Sequence, residues 1–267
     1  MPLVISFAII VKITLQVGAK MYNFFVDESN RNGNTYYIDG SNCNHIKNVL
    51  RMKVGDTILL SNNGTSHLCE LVSFAEECIE AVIIEENYND TNLPVSIYLF
   101  QGLPKSDKME LIIQKAVELG VDGIIPVEMS RCVVRLDDKK KKSKTSRWQS
   151  IAESAAKQSK RNSIPKVFEV LTYKQALAKA KTLDLVLVPY ESKNGMLDTK
   201  KALNKIQSGM SIGIFIGPEG GFDNNEIEAA TDIGGEIISL GKRILRTETA
   251  AITAVGMCML YTEMNID

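Results

Sequence analysis

The pattern of apolar and polar positions changes its rhythm near residue 90. Before that point, short apolar runs alternate with turns. Tyr22-Asn23-Phe24-Phe25-Val26 and Thr35-Tyr36-Tyr37-Ile38 are aromatic and β-branched, a composition that suits a pleated, half-buried surface. Residues 54–60, 67–72 and 78–84 continue the series, with Asn, Gly and Asp between them. Closely spaced short strands of this kind predict a small β-barrel, in which only residues 45–52 read as helix. The Asn- and Asp-rich stretch 85–94 holds the linker, placed at 89–94, so that a first domain spans 21–88.

From Val95 onward, strands alternate with helices. Val95-Ser96-Ile97-Tyr98-Leu99-Phe100 is a strand, and in 106–119 the apolar residues Met109, Ile112, Ile113, Ala116 and Val117 recur at helical spacing. A strand follows at 123–127, a helix at 145–160, another at 173–182, a strand at 183–189 and a helix at 199–207. Two further apolar strands each break into a glycine-containing loop and then enter a helix. This alternation predicts a parallel α/β domain over 95–267.

Composition narrows the possibilities. Hydrophobic residues make up 45% of the chain, enough for a sizeable core. The net charge of −1 excludes a polycation, so nucleic-acid binding has to come from local patches. Five widely spaced cysteines without a Cys-x-x-Cys read as reduced thiols rather than a disulfide frame or zinc site. With His45 and His67 the only histidines, no metal centre is expected. The apolar run at 2–11 is shorter than the roughly 20 residues a membrane span needs and lacks the basic start of a secretory signal. Residues 1–20 therefore read as an N-terminal extension, and the expected location is cytoplasmic, away from membranes.

The two glycine loops carry the chemistry. The first is Gly217-Pro218-Glu219-Gly220-Gly221-Phe222 after the strand 212–216. The second is Leu240-Gly241-Lys242-Arg243-Ile244-Leu245-Arg246-Thr247-Glu248-Thr249-Ala250-Ala251. Glycines at the C-terminal end of a strand let the backbone approach a ligand, and that edge of an open α/β sheet is where ligands bind. Neither loop is a P-loop or a dinucleotide fingerprint. Glu219 repels phosphate and suits a cationic ligand, such as the sulfonium cofactor S-adenosylmethionine.

Together these loops resemble the signature of the ribosomal RNA small-subunit methyltransferase E (RsmE) family, SPOUT-superfamily enzymes that modify uridine N3 in 16S rRNA. The similarity extends over most of the chain from Met21. It includes His45-Ile46-x-x-Val49-Leu50-Arg51-Met52-Lys53-x-Gly55-Asp56, Gln101-Gly102-Leu103-Pro104-Lys105 with Lys108, and Gln158-Ser159-x-Arg161. Ser154 and Lys160 depart from the pattern, away from the cofactor loops.

The resemblance implies a SPOUT α/β-knot domain with a C-terminal trefoil knot, preceded by a PUA-like RNA-binding barrel, in a homodimer. S-adenosylmethionine would be held by three loops, 189–191, 217–222 and 240–249. Its expected contacts are Pro189, Glu191, Gly217, Pro218, Glu219, Gly220, Leu240, Gly241, Ile244, Leu245 and Thr249, although Thr249 equally reads as a helix cap. For RNA the expected contacts are Arg31, Arg51, Lys53, Lys105, Arg161 and Arg243. Lys108 and Lys115 share a helix face and read equally as solvated. The run Lys139-Lys140-Lys141-Lys142-Ser143-Lys144 reads as a solvated loop or helix start, and Trp148 as core.

Uracil N3 has to lose a proton before it attacks, so a nearby cation would stabilise the anion. Arg246 is the first candidate. Glu248 would assist proton removal or orient an arginine, or serve only as a first-turn carboxylate favoured by the helix dipole. Two alternatives stay open: a SPOUT enzyme acting on tRNA, at ribose 2′-oxygen or guanine N1, and a non-catalytic assembly factor that binds RNA.

Overall fold

The computed structural model describes residues 21–191 and 195–266; the extension expected at 1–20 lies outside them. Two units divide between Asn89 and Asp90. In the first, six strands run β1 (Asn23–Phe25), β2 (Arg31–Asn32), β3 (Thr35–Ile38), β4 (Thr57–Asn62), β5 (Thr65–Phe74) and β6 (Ile79–Glu85), in the sheet order β1-β4-β5-β6-β3-β2. The β1–β4 pair is parallel and the other pairs are antiparallel. Among the described residues no ladder joins β2 back to β1, so the hydrogen-bonded path is open. Register shifts at Leu68/Cys69 and Leu71/Ser73 supply the local bends that bulges give a long strand.

Alternate strand residues fill the core of this unit, with Tyr36, Ile38, Ile58, Leu60 and Leu71 fully enclosed. The helix expected at 45–52 starts earlier. It opens as α1 (Gly40–Asn44) and continues into a π-helical turn, His45–Val49. Its Gly-Ser-Asn opening shows no apolar period, so the sequence hides it. Cys43 and Ile46 anchor it in the core.

The second unit is built on a seven-stranded sheet. Its strands are β7 (Ser96–Gly102), β8 (Gly123–Glu128), β9 (Lys166–Val167), β10 (Leu171–Thr172), β11 (Leu185–Pro189), β12 (Ser211–Ile216) and β13 (Glu236–Ile238). The order is β10-β8-β7-β12-β11-β13, with β9 also on β8, and every pair is parallel. Consecutive residues of β12, from Ile212 to Ile216, are all buried, as expected of a parallel strand covered on both faces. Phe100 and Phe215 stack at 4.4 Å between the two central strands. The two-residue strands β9 and β10 are too short to show a period, and pattern alone does not predict them.

The helices are α2 (Lys108–Glu118), α3 (Asp138–Gln158), α4 (Tyr173–Ala180), α5 (Leu197–Leu203), α6 (Asn224–Asp232) and α7 (Thr247–Asn265). In α2 the five apolar residues at helical spacing are all buried, the stripe that fixes such a helix on a core. α3 begins well before the expected residue 145. The Asp137 carboxylate accepts from the Lys140 amide at 2.8 Å, an N-cap, and lysines are good helix formers without any apolar period. Trp148 is buried, as read. No helix among the described residues is long and apolar enough to cross a membrane.

Candidate active site

Since every strand of the second sheet runs the same way, Gly102, Pro189, Ile216 and Ile238 all end at one edge. The loops that follow β11, β12 and β13 surround a cavity of about 440 Å³ there, a size typical of small-molecule sites. Backbone geometry shapes it. Gly221 and Gly241 have φ of +66° and +108°, where side chains with a Cβ are strained. A Cβ on Gly217 would lie 3.1 Å from the Gly221 carbonyl carbon, a tight contact that the loop backbone would have to yield to by a few tenths of an ångström.

Side chains lock the loops together. Gln101 Nε2 donates to Thr247 Oγ1 at 3.0 Å, and Thr247 Oγ1 donates to the Gly217 carbonyl at 2.7 Å. Lys108, at the start of α2, lines the cavity and sits 3.1 Å from Glu219 Oε1 and 3.3 Å from Glu248 Oε2. The Lys105 amide also donates to Glu219 Oε1, at 3.0 Å. Burial alone would raise the Glu219 carboxyl, but its own amide, the Lys105 amide and the Lys108 ammonium outweigh burial and hold it below the ordinary range. Glu248 Oε2 is buried and has Lys108 as a charged neighbour, but no aligned hydrogen-bond donor.

Most of the residues expected at the cofactor share this cavity: Pro189, Glu191, Gly217, Pro218, Glu219, Leu240, Gly241, Ile244 and Leu245 all line it. Gly220 does not. It packs on Arg131, whose Nη1 donates to the Gly220 carbonyl at 3.0 Å. Thr249 points to solvent on α7 and is not part of the lining; the N-cap of α7 is Arg246. Glu248 reaches the site through Lys108. Arg243 and Arg246 line the rim, both exposed, and no carboxylate pairs with either among the described residues. Ser239 and Thr247 line the site without having been among the expected contacts, and Lys108, read from the sequence as a helix-face lysine equally able to be solvated, joins them. Lys108 lies far along the chain from both of its carboxylate partners, and only folding brings them together.

The expected RNA contacts divide. Arg51 and Lys53 are exposed in the first unit and Lys105 in the second. Arg31 is engaged within its own unit, pairing with Glu86 at 2.5 Å and lying 5.8 Å from the Tyr36 ring centre. Arg161 is a correction: its side chain is only 4% exposed. It donates to the carbonyls of Val117 and Val121 and lies 3.6 Å from Asp122 Oδ1, so it braces the interior and offers no surface to RNA. In the lysine run 139–144 and just beyond it, Lys141 pairs with Glu128 at 2.9 Å and Arg147 with Glu110 at 2.7 Å. Among the described residues no group of His, Cys, Asp and Glu is placed to hold a metal ion.

A parallel sheet with a glycine-walled cavity at its C-terminal edge fits the class that sequence comparison defines. Residues 91–259 match the model of an RNA methyltransferase domain, and residues 38–83 that of an RNA methyltransferase PUA domain. The chain is 42% identical over 234 residues to the ribosomal RNA small subunit methyltransferase E of Bacillus subtilis, covering 86% of this chain and 91% of the relative. With the protein of the same name from Mesomycoplasma hyopneumoniae it is 36% identical over 239 residues, 90% and 99% of the two chains. The crystal structure of the Neisseria gonorrhoeae protein of that name, bound to S-adenosyl methionine, matches with a TM-score of 0.76 at 32% identity over 90% and 98%. The chain belongs to the ribosomal RNA small subunit methyltransferase E family.

Proposed function

We propose that the protein methylates N3 of a uridine in 16S ribosomal RNA of the small subunit, with S-adenosylmethionine as methyl donor. One observation carries this reading: the glycine-walled cavity, lined by the Glu191 and Glu219 carboxylates, opens beside the guanidinium of Arg246, which no carboxylate pairs among the described residues. The lining fits the cofactor. Leu240, Ile244 and Leu245 offer an apolar wall for a flat base, while Glu191 and Glu219 suit an amino group or ribose hydroxyls. Bound there, S-adenosylmethionine supplies an electrophilic methyl group on a sulfonium.

The protein's own residues supply position and charge. Much of the rate comes from holding the attacking nitrogen in line with the methyl group. Arg246 stabilises the uracil anion formed when N3 loses its proton. Glu248, with a buried oxygen that lacks an aligned donor, takes that proton. Arg51, Lys53, Lys105 and Arg243 hold phosphate, which gives affinity without reading sequence.

The same reading includes a homodimer, a trefoil-knotted chain and a cytoplasmic location. The flank of α7 supports the dimer, with Leu260 52% and Met264 73% exposed, an apolar surface suited to a second copy. The strand order is consistent with the knot, because β12 lies in the sheet between β7 and β11, both of which precede it in the chain.

The test is methyl transfer from labelled S-adenosylmethionine to small subunits from a strain lacking the enzyme, with product nucleosides separated and Arg246→Ala run alongside. Label in 3-methyluridine, lost in the variant, is the expected result. Label in another nucleoside, or transfer to tRNA alone, overturns the substrate. Cofactor binding without transfer to any RNA favours an assembly factor.

A further inference from the structure

The Lys108 ammonium lines the cavity between carboxylates from two different segments, Glu219 in the loop after β12 and Glu248 in the first turn of α7. Two anions at 3.1 and 3.3 Å hold it in place, so a flexible side chain becomes a fixed one. An ammonium carries three N–H donors, and two carboxylate neighbours leave at least one for a third acceptor. The side chain is 31% exposed, which leaves that donor a way into the cavity. A cation clamped before the substrate arrives needs no reorganisation when charge develops, the arrangement that makes electrostatic stabilisation effective.

We propose that Lys108 is a catalytic residue that donates a hydrogen bond to a carbonyl oxygen of the target uracil as N3 becomes anionic. This rests on the uridine-N3 reading and adds a role that Arg246, at the exposed rim, cannot fill from inside the cavity. Loss of the N3 proton spreads negative charge over N3 and the two flanking carbonyl oxygens. A fixed donor on one of those oxygens lowers the cost of that charge. Glu248 takes the proton, the freed electron pair on N3 forms the new bond to the methyl carbon, and the bond from that carbon to sulfur breaks with its electrons left on sulfur, so that the neutral thioether S-adenosylhomocysteine departs.

The charged groups around Lys108 are consistent with a permanent donor. Glu219 and Glu248 face it directly, and Glu191, Lys242, Arg243 and Arg246 stand around the same cavity. The Glu219 contact comes first in raising the Lys108 ammonium above the ordinary lysine range, and Glu248 adds to it. It therefore stays protonated across the pH range in which the enzyme can be assayed.

The experiment compares wild type, Lys108→Met and Lys108→Arg from neutral to mildly alkaline pH. It measures single-turnover methyl transfer to small subunits, product nucleosides, and affinity for S-adenosylhomocysteine by calorimetry. Lys108→Met should lose roughly a hundredfold in rate at neutral pH, the size of effect seen when one oxyanion donor is removed. That deficit should shrink as pH approaches the value at which free uridine ionises by itself, because the base then needs less help. The deficit should persist at saturating cofactor, whatever the change in S-adenosylhomocysteine affinity, and Lys108→Arg should recover part of the rate.

A deficit of the same size at every pH, or one that disappears at saturating cofactor, overturns the proposal and leaves Lys108 as a loop clamp. Wild-type product other than 3-methyluridine overturns the N3 reading itself. The nucleoside analysis therefore separates the two failures.

Discussion

The hydroxyl of Thr247 donates to the carbonyl of Gly217 across 2.7 Å and accepts from Gln101 Nε2 at 3.0 Å. Through that one oxygen the start of α7, the loop after β12 and the end of β7 are tied at the floor of the cavity. Thr247→Val keeps the shape and removes both bonds. A buried hydrogen-bonding group left unpaired costs about 1–3 kcal/mol. Thermal unfolding should therefore fall by several degrees and cofactor affinity should drop, while Thr247→Ser retains both. A valine variant with wild-type melting and affinity would show that the tie is dispensable.

Gly102 gives a sharper test of the same floor. A Cβ there would lie 2.7 Å from both the nitrogen and Cδ of Pro218, and 2.9 Å from Met129 Sδ. Two of these three atoms belong to a proline ring in the cavity wall, which cannot swing aside as a flexible side chain does. Gly102→Ala should displace Pro218 and weaken cofactor binding severalfold in an equilibrium titration. Unchanged binding would mean that the loop shifts freely.

Arg161 is expected to matter for stability and not for RNA. Its guanidinium is buried against two carbonyls and the Asp122 carboxylate. Its removal leaves the Val117 and Val121 carbonyls without this donor, and a buried polar group left unpaired costs about 1–3 kcal/mol. Arg161→Met should show that loss in chemical denaturation, with RNA affinity unchanged where the variant is still folded. A variant that melts like wild type but binds RNA weakly would restore the surface role.

The Glu219 carboxyl carries a pH signature. Its folded value is depressed because contacts with its own amide, the Lys105 amide and Lys108 outweigh the effect of burial. A depressed value adds stability that is fully present above the ordinary glutamate range and is lost as pH falls through the lowered value. The melting advantage of wild type over Glu219→Gln should be flat at neutral pH and shrink only in acid. An advantage that does not change with pH would mean that the ionised form makes no difference.

The fold and the candidate site were legible in the sequence to different depths. Strands such as 212–216 and the helix carrying Met109, Ile112 and Ile113 are read from local period, because burial on a regular element repeats. The start of α3 is not, since its signal is a single cap at Asp137 ahead of a lysine run. Loop residues were found because glycines and a carboxylate at a strand end carry local chemistry. The place of Lys108 at the cavity was not, because its meaning comes from Glu219 and Glu248, which are distant in sequence. Arg161 was misread for the same reason. A basic residue in a basic stretch looks like surface, and Asp122 with the Val117 and Val121 carbonyls is visible only in three dimensions.

The strand order also sets the timetable of folding. Among the described residues β11 pairs only with β12 and β13, and one side of β7 stays unpaired until β12 fills it. During synthesis β11 therefore emerges with no partner in the sheet, and β7 waits with an open, apolar edge. Such edges invite association with other chains, and pairing across long sequence separations is slow. Apart from Lys108, every residue of the cavity wall lies at position 189 or beyond. A nascent chain shorter than that has no cofactor pocket, so the site is assembled only after the last third of the protein has been made.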